Sequence, residues 1–392
     1  VLFYNKANEA IKFTAPVAGT LKEITRGAKR VITQLKIETS ATQSHRDFGV
    51  LDPEKAEAEA IKSRLLESGC WAYIKQRPYD VIANPETPAR DIFISGLQTA
   101  PLAANLDYVL QGKEQALQAA VTALSKLTEG HVHITTSAKG NSPLAGLKNA
   151  KHHSIQGPHP AGNVGTQIAA IAPVNKGESV WTVAAHDLVI IGTLLLEGKY
   201  DPKRLVAVGG ASVNEPKYIE TYAGASITPL LDAVGGVTEN ARVISGNVLT
   251  GRHIPETGYL GFYDTELAII PEGNDYEFFG WNKPIFHKIS TSRALTFSWL
   301  FPKKRYNLNT NTNGEHRAFV VTGGYEAVFP MDIYPLQLLK ACMVKDLDAM
   351  EALGMYEVAP EDFALTEFVC VSKQPHQQII REGLDLMYKE IG

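Results

Sequence analysis

Apolar and polar positions alternate with period two at the start of the chain. Further in they recur with the 3.6-residue period of helices, and the changes of rhythm divide the sequence. Residues 20–24 (Thr-Leu-Lys-Glu-Ile) and 31–38 alternate as half-buried strands do. Residues 13–19 read as a strand running into a turn, and residues 1–4 as a further strand. The chain opens on Val1 in mid-pattern, so a natural N-terminal segment ahead of it is expected. A helix is expected from Asp52 as N-cap, with Pro53 at its first position, to Gly69 as its stop. Ile61, Leu65 and Leu66 mark its apolar face. A strand at 91–96, an amphipathic helix at 113–126 and a strand at 131–136 come next, the order of a parallel α/β layer. Residues 140–165 are loop-rich, and 184–197 read as a helix.

From residue 204 the rhythm changes. Strands at 204–210 and 218–222 precede a helix that Thr228 would cap, that has Pro229 at its first position and that stops at Gly235-Gly236. A return strand at 241–245 completes the pattern of a small β-grasp domain. From about 286 the chain is basic and aromatic, then polar at 307–313, then helical near 335–345, 346–354 and 375–390. The expected fold class is therefore α/β multidomain. It comprises a partial biotinyl/lipoyl-like barrel sandwich over 1–40, a Rossmann-like parallel α/β domain over 41–202, a β-grasp domain over 203–285 and a helical domain over 286–392. The barrel-sandwich expectation rests on Ala15-Pro16-Val17-x-Gly19, and the hairpin that presents a modifiable lysine in carrier domains is absent.

At 392 residues, two to four domains are expected. A net charge of −4 with 20% charged residues gives no reason to expect nucleic acid or a strongly anionic membrane surface as the main partner. Cys70, Cys342 and Cys370 are too few and too scattered for a disulfide framework or a four-cysteine metal site, which suits a reducing compartment. No signal peptide is visible, and the longest apolar runs, such as 188–196, are about half of the roughly 20 residues that a membrane-spanning helix needs.

The richest stretch chemically is residues 67–80. An α/β domain often puts a glycine-rich, phosphate-cradling loop between a helix and a strand. Here one glycine is followed by Trp71, Tyr73 and Tyr79, with Lys75 and Arg77 between them. Such a loop is too bulky for phosphate. It suits a flat apolar ring with polar edges, on which the aromatics stack and to which Lys75 or Arg77 donates; ordinary packing of a helix–strand connection explains it equally. His131, His133, His152, His153 and His159 crowd one region, either as a metal site or as surface and loop histidines, and no H-E-x-x-H spacing accompanies them. Gly157-Pro-His-Pro-Ala-Gly-Asn-Val-Gly165 is a rigid loop that can approach a ligand closely, or simply a tight turn. No nucleophile elbow, Walker loop, dinucleotide fingerprint or Ser-His-Asp triad is legible.

Several segments together resemble one family. They are residues 13–30 (F-T-A-P-V-A-G-T-L-K-E-I-T-R-G-A-K-R), 67–79, Gly157-Pro-His-Pro-Ala-Gly162, Arg242-Val-Ile-Ser-Gly246 with Leu249-Thr-Gly251, Phe279-Gly-Trp281, Asn309-Thr-Asn-Thr-Asn-Gly314, and Pro360-Glu-Asp-Phe-Ala-Leu365 with Phe368-Val-Cys370. The family is that of the A subunits of the sodium-translocating NADH:quinone reductases. It is distantly related to the C subunit of the Rnf complex and to the flavoprotein subunit of complex I. The resemblance makes the β-grasp domain SLBB-like. It also implies a degenerate flavin site, because those relatives carry G-x-G-G-A-G-F-P where this chain has Cys-Trp-Ala-Tyr-Ile-Lys-Gln-Arg-Pro. Gln98 and Ala100 stand where the relatives have acidic residues, with Asp107 kept. Where they carry cluster-binding cysteines, this chain has Phe319, Thr322, Tyr325 and Phe329, and Cys370 alone remains of a second set.

The resemblance implies a peripheral subunit without a membrane span, on the cytoplasmic face of the bacterial inner membrane, in a redox-driven sodium pump. It binds no cofactor of its own. NADH, flavins and the iron–sulfur centre belong to other subunits, the membrane subunits are its partners, and ubiquinone is the substrate. Trp71, Tyr73, Lys75, Arg77, Tyr79 and His159 are the candidate quinone-binding residues; no catalytic or metal-binding residue is expected. The alternative is an assembly scaffold of the same complex with no ligand site.

Overall fold

A computed structural model describes residues 1–275, 277–280, 283, 286, 288–290 and 292–392. Trp281, at the end of one of the family-like segments, lies outside them. At the N-terminus Gly19–Arg26 and Ile32–Thr39 pair antiparallel, with a bulge between Leu21 and Glu23. Phe3–Tyr4 pairs with Lys12–Phe13, and the Phe3 and Phe13 rings stack at 4.5 Å. Residues 14–18, expected as strand, are irregular beyond Phe13. Pro16 has no N–H to give a ladder, and the Thr14 hydroxyl instead donates to the Ser68 carbonyl at 2.7 Å.

The first helix spans Ala58–Ser68, later than the sequence suggested. The Asp52 carboxylate accepts from Glu54 N–H and its carbonyl from Ala56 N–H, which closes a local turn rather than opening a helix. The helix starts only after Glu57 and ends, as expected, where Gly69 takes φ +86°. It packs against a six-stranded sheet in the order Val81–Ile82, Ile74–Arg77, Val180–Val183, Ile92–Ser95, Val132–Ser137, Lys151–Ile155. The last four are parallel; Ile74–Arg77 runs antiparallel to them, and the edge strand Val81–Ile82 runs antiparallel to Ile74–Arg77. Helices Glu114–Ser125 and Asp187–Glu197 cover the sheet and approach so closely at Gly192 that a Cβ there would overlap the Ala116 carbonyl.

The third part is a five-stranded sheet in the order Lys217–Tyr222, Lys203–Gly209, Glu266–Pro271, Ala241–Ser245, Arg252–Ile254. Its central strand, Glu266–Pro271, was not among the expected elements. It is buried at four successive positions, so it lacks the alternation that reveals an edge strand. The helix Thr228–Ala233 sits where expected, but Thr228 does not cap it: the hydroxyl donates to the Glu256 carbonyl at 3.1 Å, and Ile227 precedes the first turn. Helices Pro335–Val344, Leu347–Ala352 and His376–Glu390 close around Leu338, Leu339, Met350, Phe363, Ile380 and Leu384. Asp346 caps the middle one by accepting from Ala349 N–H at 3.0 Å.

Candidate functional site

In the parallel part of the sheet the chain passes from Ile92–Ser95 to Val132–Ser137 and Lys151–Ile155 on one side, then returns to Val180–Val183 on the other. The direction of travel reverses between Ile92–Ser95 and Val180–Val183, and ligands of open α/β sheets bind beyond the carboxyl ends of the strands at such a switch point. A crevice of about 240 Å³ lies there, lined by Ser95 and Thr182 at the strand ends and by the residues just after them. Helices Val164–Ile171 and Asp187–Glu197 both begin at it, through Asn163 and His186. Their N-terminal N–H groups carry partial positive charge, which suits electron-rich oxygens.

The antiparallel strand Ile74–Arg77 forms one wall. The Lys75 ammonium sits 4.6 Å from the centre of the Tyr263 ring and 3.8 Å from the Asp80 carboxylate, with its side chain 36% exposed. Lys75 and Arg77 hold the Asp80 carboxyl below the usual carboxylate range despite burial. The Tyr73 ring stacks on Phe262 at 5.0 Å, its hydroxyl lies 3.0 Å from that of Tyr200, and burial pushes its phenol well above the usual range. Tyr263 and Glu266 reach the crevice from the part with the five-stranded sheet, and Glu361 from the helical part. Burial raises the Glu266 carboxyl, although Ala104 N–H donates to it at 3.2 Å.

Of the six residues singled out in the sequence, three meet at the crevice: Tyr73, Lys75 and Arg77. Trp71 is fully buried on the core side, donating its indole N–H to the Ala83 carbonyl at 2.7 Å and meeting Trp181 edge-on at 5.3 Å. Tyr79 packs in the helical core against Tyr356 and Tyr388. His159 stands one residue behind the crevice: its Nδ1 lies 3.1 Å from the Thr99 hydroxyl, which also accepts from Gly162 N–H at 2.9 Å. Burial lowers the His159 pKa, which favours the neutral imidazole. The Arg77 side chain is 2% exposed and engaged through both terminal nitrogens, Nη1 with Asp362 and Nη2 with Glu361, both at 2.9 Å, while its Nε is buried without a partner among the described residues. It works as a clasp between the sheet and the helical part, and Asp362 lies so close to Gly165 that a Cβ there would overlap its carboxylate. Tyr263 and Glu361 escaped sequence reasoning, with only the place of Glu361 inside the family-like segment Pro360-Glu-Asp-Phe as a hint, whereas Gly162, Asn163 and Val164 come from the loop 157–165 that the sequence singled out.

The histidines do not converge on a metal. His133 stacks on Phe93 at 4.7 Å and shares a hydrogen bond of 2.8 Å with His153, while His152 turns to the Leu147 carbonyl. Among the described residues no group of three or more His, Cys, Asp or Glu is placed to hold one. In the region of the expected cluster positions, rings are packed instead. The Phe319, Tyr325 and His376 rings meet at 4.9–6.3 Å, and the Tyr325 hydroxyl lies 3.0 Å from Cys370 Sγ.

Three family descriptions match the chain: "NqrA N-terminal barrel-sandwich hybrid domain" over residues 1–40, "NqrA second alpha/beta domain" over 56–200 and "NQRA C-terminal domain", of SLBB type, over 205–255. Among curated proteins, the A subunit of the Na(+)-translocating NADH-quinone reductase of Vibrio parahaemolyticus is 37% identical, covering 100% of this chain and 87% of its own. The corresponding A subunit of Rhodopirellula baltica is 35% identical over 99% of this chain and 86% of its own. Among solved structures, an NAD+-reducing [NiFe]-hydrogenase in the air-oxidised state overlaps 56% of this chain and 50% of its own, with 13% identity and a TM-score of 0.38, too loose to bear on this chain. Identity at this level, sustained from the barrel sandwich through the crevice to the helical part, means that the chain belongs to the NqrA family, the A subunits of the Na(+)-translocating NADH-quinone reductases.

Proposed function

We propose that the chain is the peripheral, cytoplasmic-face subunit of a redox-driven sodium pump that oxidises NADH and reduces ubiquinone, and that its switch-point crevice contributes to quinone binding. Its partners in this reading are the other subunits, which carry the flavins and the iron–sulfur centre. Among the described residues no helix is long and apolar enough to cross a membrane, which is compatible with a peripheral place. The observation that carries the quinone reading is the crevice wall. Tyr73 and Tyr263 line the crevice beside the partly exposed ammonium of Lys75, and the starts of two helices line it too; the Tyr73 ring itself is stacked on Phe262. A quinone ring is flat and apolar and offers two carbonyl acceptors, so an aromatic lining with a cation and helix N–H donors matches both of its features.

The test is calorimetric titration of the chain with a short-tail ubiquinone, then the same titration of Lys75→Ala. Binding weakened roughly tenfold by Lys75→Ala, the loss of about one charge-assisted hydrogen bond, supports the reading. Absence of heat in the chain, together with an unchanged quinone KM of the whole complex carrying Lys75→Ala, would overturn it. One observation favours the scaffold alternative: 240 Å³ is below the roughly 300–1,000 Å³ of ordinary ligand sites. A scaffold predicts that Lys75→Ala leaves turnover intact while deletion of the whole chain abolishes assembly.

A further inference from the structure

The chain leaves the five-stranded sheet after Pro271 and returns to it at Thr310, and none of the described residues between them lines the crevice. Its ends are pinned together. Thr310 N–H donates to the Pro271 carbonyl at 3.3 Å and Gly273 N–H to the Thr310 hydroxyl at 2.8 Å. Glu272, held by two 2.7 Å bonds from Arg242, accepts from that same hydroxyl. Connections of this length inside a domain usually carry a function of their own.

Its composition is unlike the rest of the chain. Residues 278–314, 37 in all, contain no Asp or Glu and six Lys or Arg (Lys283, Lys288, Arg293, Lys303, Lys304, Arg305). The stretch therefore carries +6 in a chain whose net charge is −4, leaving −10 on the remainder. Exposed rings crowd the same place: Phe278 is 83% exposed, Trp299 61%, Phe286 52% and Phe301 49%. Contacts among its described residues bring several of these groups together. Phe286 stacks on Phe297 at 5.3 Å and meets Phe301 edge-on at 6.4 Å. The Thr296 hydroxyl donates to the Lys288 carbonyl at 3.1 Å, and the Lys304 ammonium donates to the Phe286 carbonyl. Lys288 is paired with Glu277 at 2.9 Å, whereas Lys303 and Arg305 have no carboxylate partner among the described residues.

We propose that this patch docks on an anionic lipid surface. Phe and Trp rings enter the boundary between headgroups and acyl chains while Lys and Arg stay among the phosphates. A stretch free of carboxylates meets no like-charge repulsion there. Exposed rings interleaved with cations suit a fluid lipid layer, which needs no matching shape, better than a folded protein surface, which does. The inference deepens the peripheral location proposed above but is independent of the quinone site.

The test is co-sedimentation of the full chain with vesicles of phosphatidylcholine alone or mixed with phosphatidylglycerol, at about 0.05 M and about 0.5 M salt. Binding is expected only with phosphatidylglycerol and is lost at the higher salt. The variant Lys303→Gln, Lys304→Gln, Arg305→Gln should bind at least about tenfold more weakly, since each basic residue near the surface adds to the attraction. Phe278→Ser with Trp299→Ser should also weaken binding. The control Lys55→Gln, Lys62→Gln, Lys113→Gln should bind as wild type, and unchanged circular dichroism confirms folding. No sedimentation, equal sedimentation with both vesicle types, or full binding by the first variant would overturn the proposal. If the chain ignores vesicles while the first variant fails to join the other subunits, the patch is a protein interface. The lipid proposal then falls and the peripheral location stands.

Discussion

Arg77→Ala tests the assignment of this residue as a clasp rather than a ligand donor. The guanidinium is 2% exposed and the Asp362 carboxylate 1%, with 2.9 Å between them. Removing the arginine leaves Asp362 buried with one remaining donor, Ala359 N–H at 2.8 Å, and with its other oxygen already unpartnered. An uncompensated buried charge of this kind costs about 3–5 kcal/mol. That is a large share of the roughly 5–15 kcal/mol that holds a domain folded. At about 2–4 °C per kcal/mol it lowers the melting temperature by roughly 6–20 °C. Because the clasp joins two parts of the chain, the loss should be read part by part. Hydrogen exchange should rise first in Pro335–Val344 and His376–Glu390, while the Glu114–Ser125 helix stays protected. The double variant Arg77→Ala, Asp362→Ala removes the orphaned charge and should recover most of the loss. A single variant within about 1 kcal/mol of wild type, or a double variant no better than the single, would refute the reasoning.

Other outcomes rest on the same geometry. His376 is fully buried, and burial lowers its pKa from 6.5 to about 4. The unfolded chain then binds the extra proton between those values and the fold does not, so stability rises with pH from about 4 to 6.5 and is fully present above that. Denaturant titrations at pH 5 and pH 7 should show the difference, approaching about 3 kcal/mol at the acid limit, and His376→Asn should flatten it. Gly192→Ala places a methyl on the Ala116 carbonyl and should cost at least about 1–3 kcal/mol by thermal denaturation, since two helices must part. Trp71→Ala should destabilise by roughly 3–5 kcal/mol, whereas Lys75→Ala should change stability by less than about 1 kcal/mol. Melting curves of the two variants separate the filler of the core from the wall of the crevice.

Much of the secondary structure was legible because each element is specified locally. The 113–126 and 375–390 helices and the 92–95 strand carry their own periodicity, and Gly69 marks a helix end because a left-handed residue is needed there. The helix expected from Asp52 failed for an equally local reason: aspartate closes a turn with its own backbone as readily as it caps a helix. The Glu266–Pro271 strand was missed because burial at successive positions erases alternation.

The loop 67–80 shows where local reasoning stops. Its bulk was visible in the sequence, and so was its unfitness for phosphate. What each side chain faces depends on elements far away along the chain. Trp71 turns to Trp181, Tyr73 to Tyr200 and Phe262, Arg77 to Asp362, and Tyr79 to Tyr356. Ring and charge supply the means of binding either a ligand or a neighbouring part of the protein, and residue type does not distinguish the two. The packing of three separate parts around one sheet edge makes that choice. It spends Trp71, Arg77 and Tyr79 on holding the chain together and leaves Lys75 half exposed at the crevice.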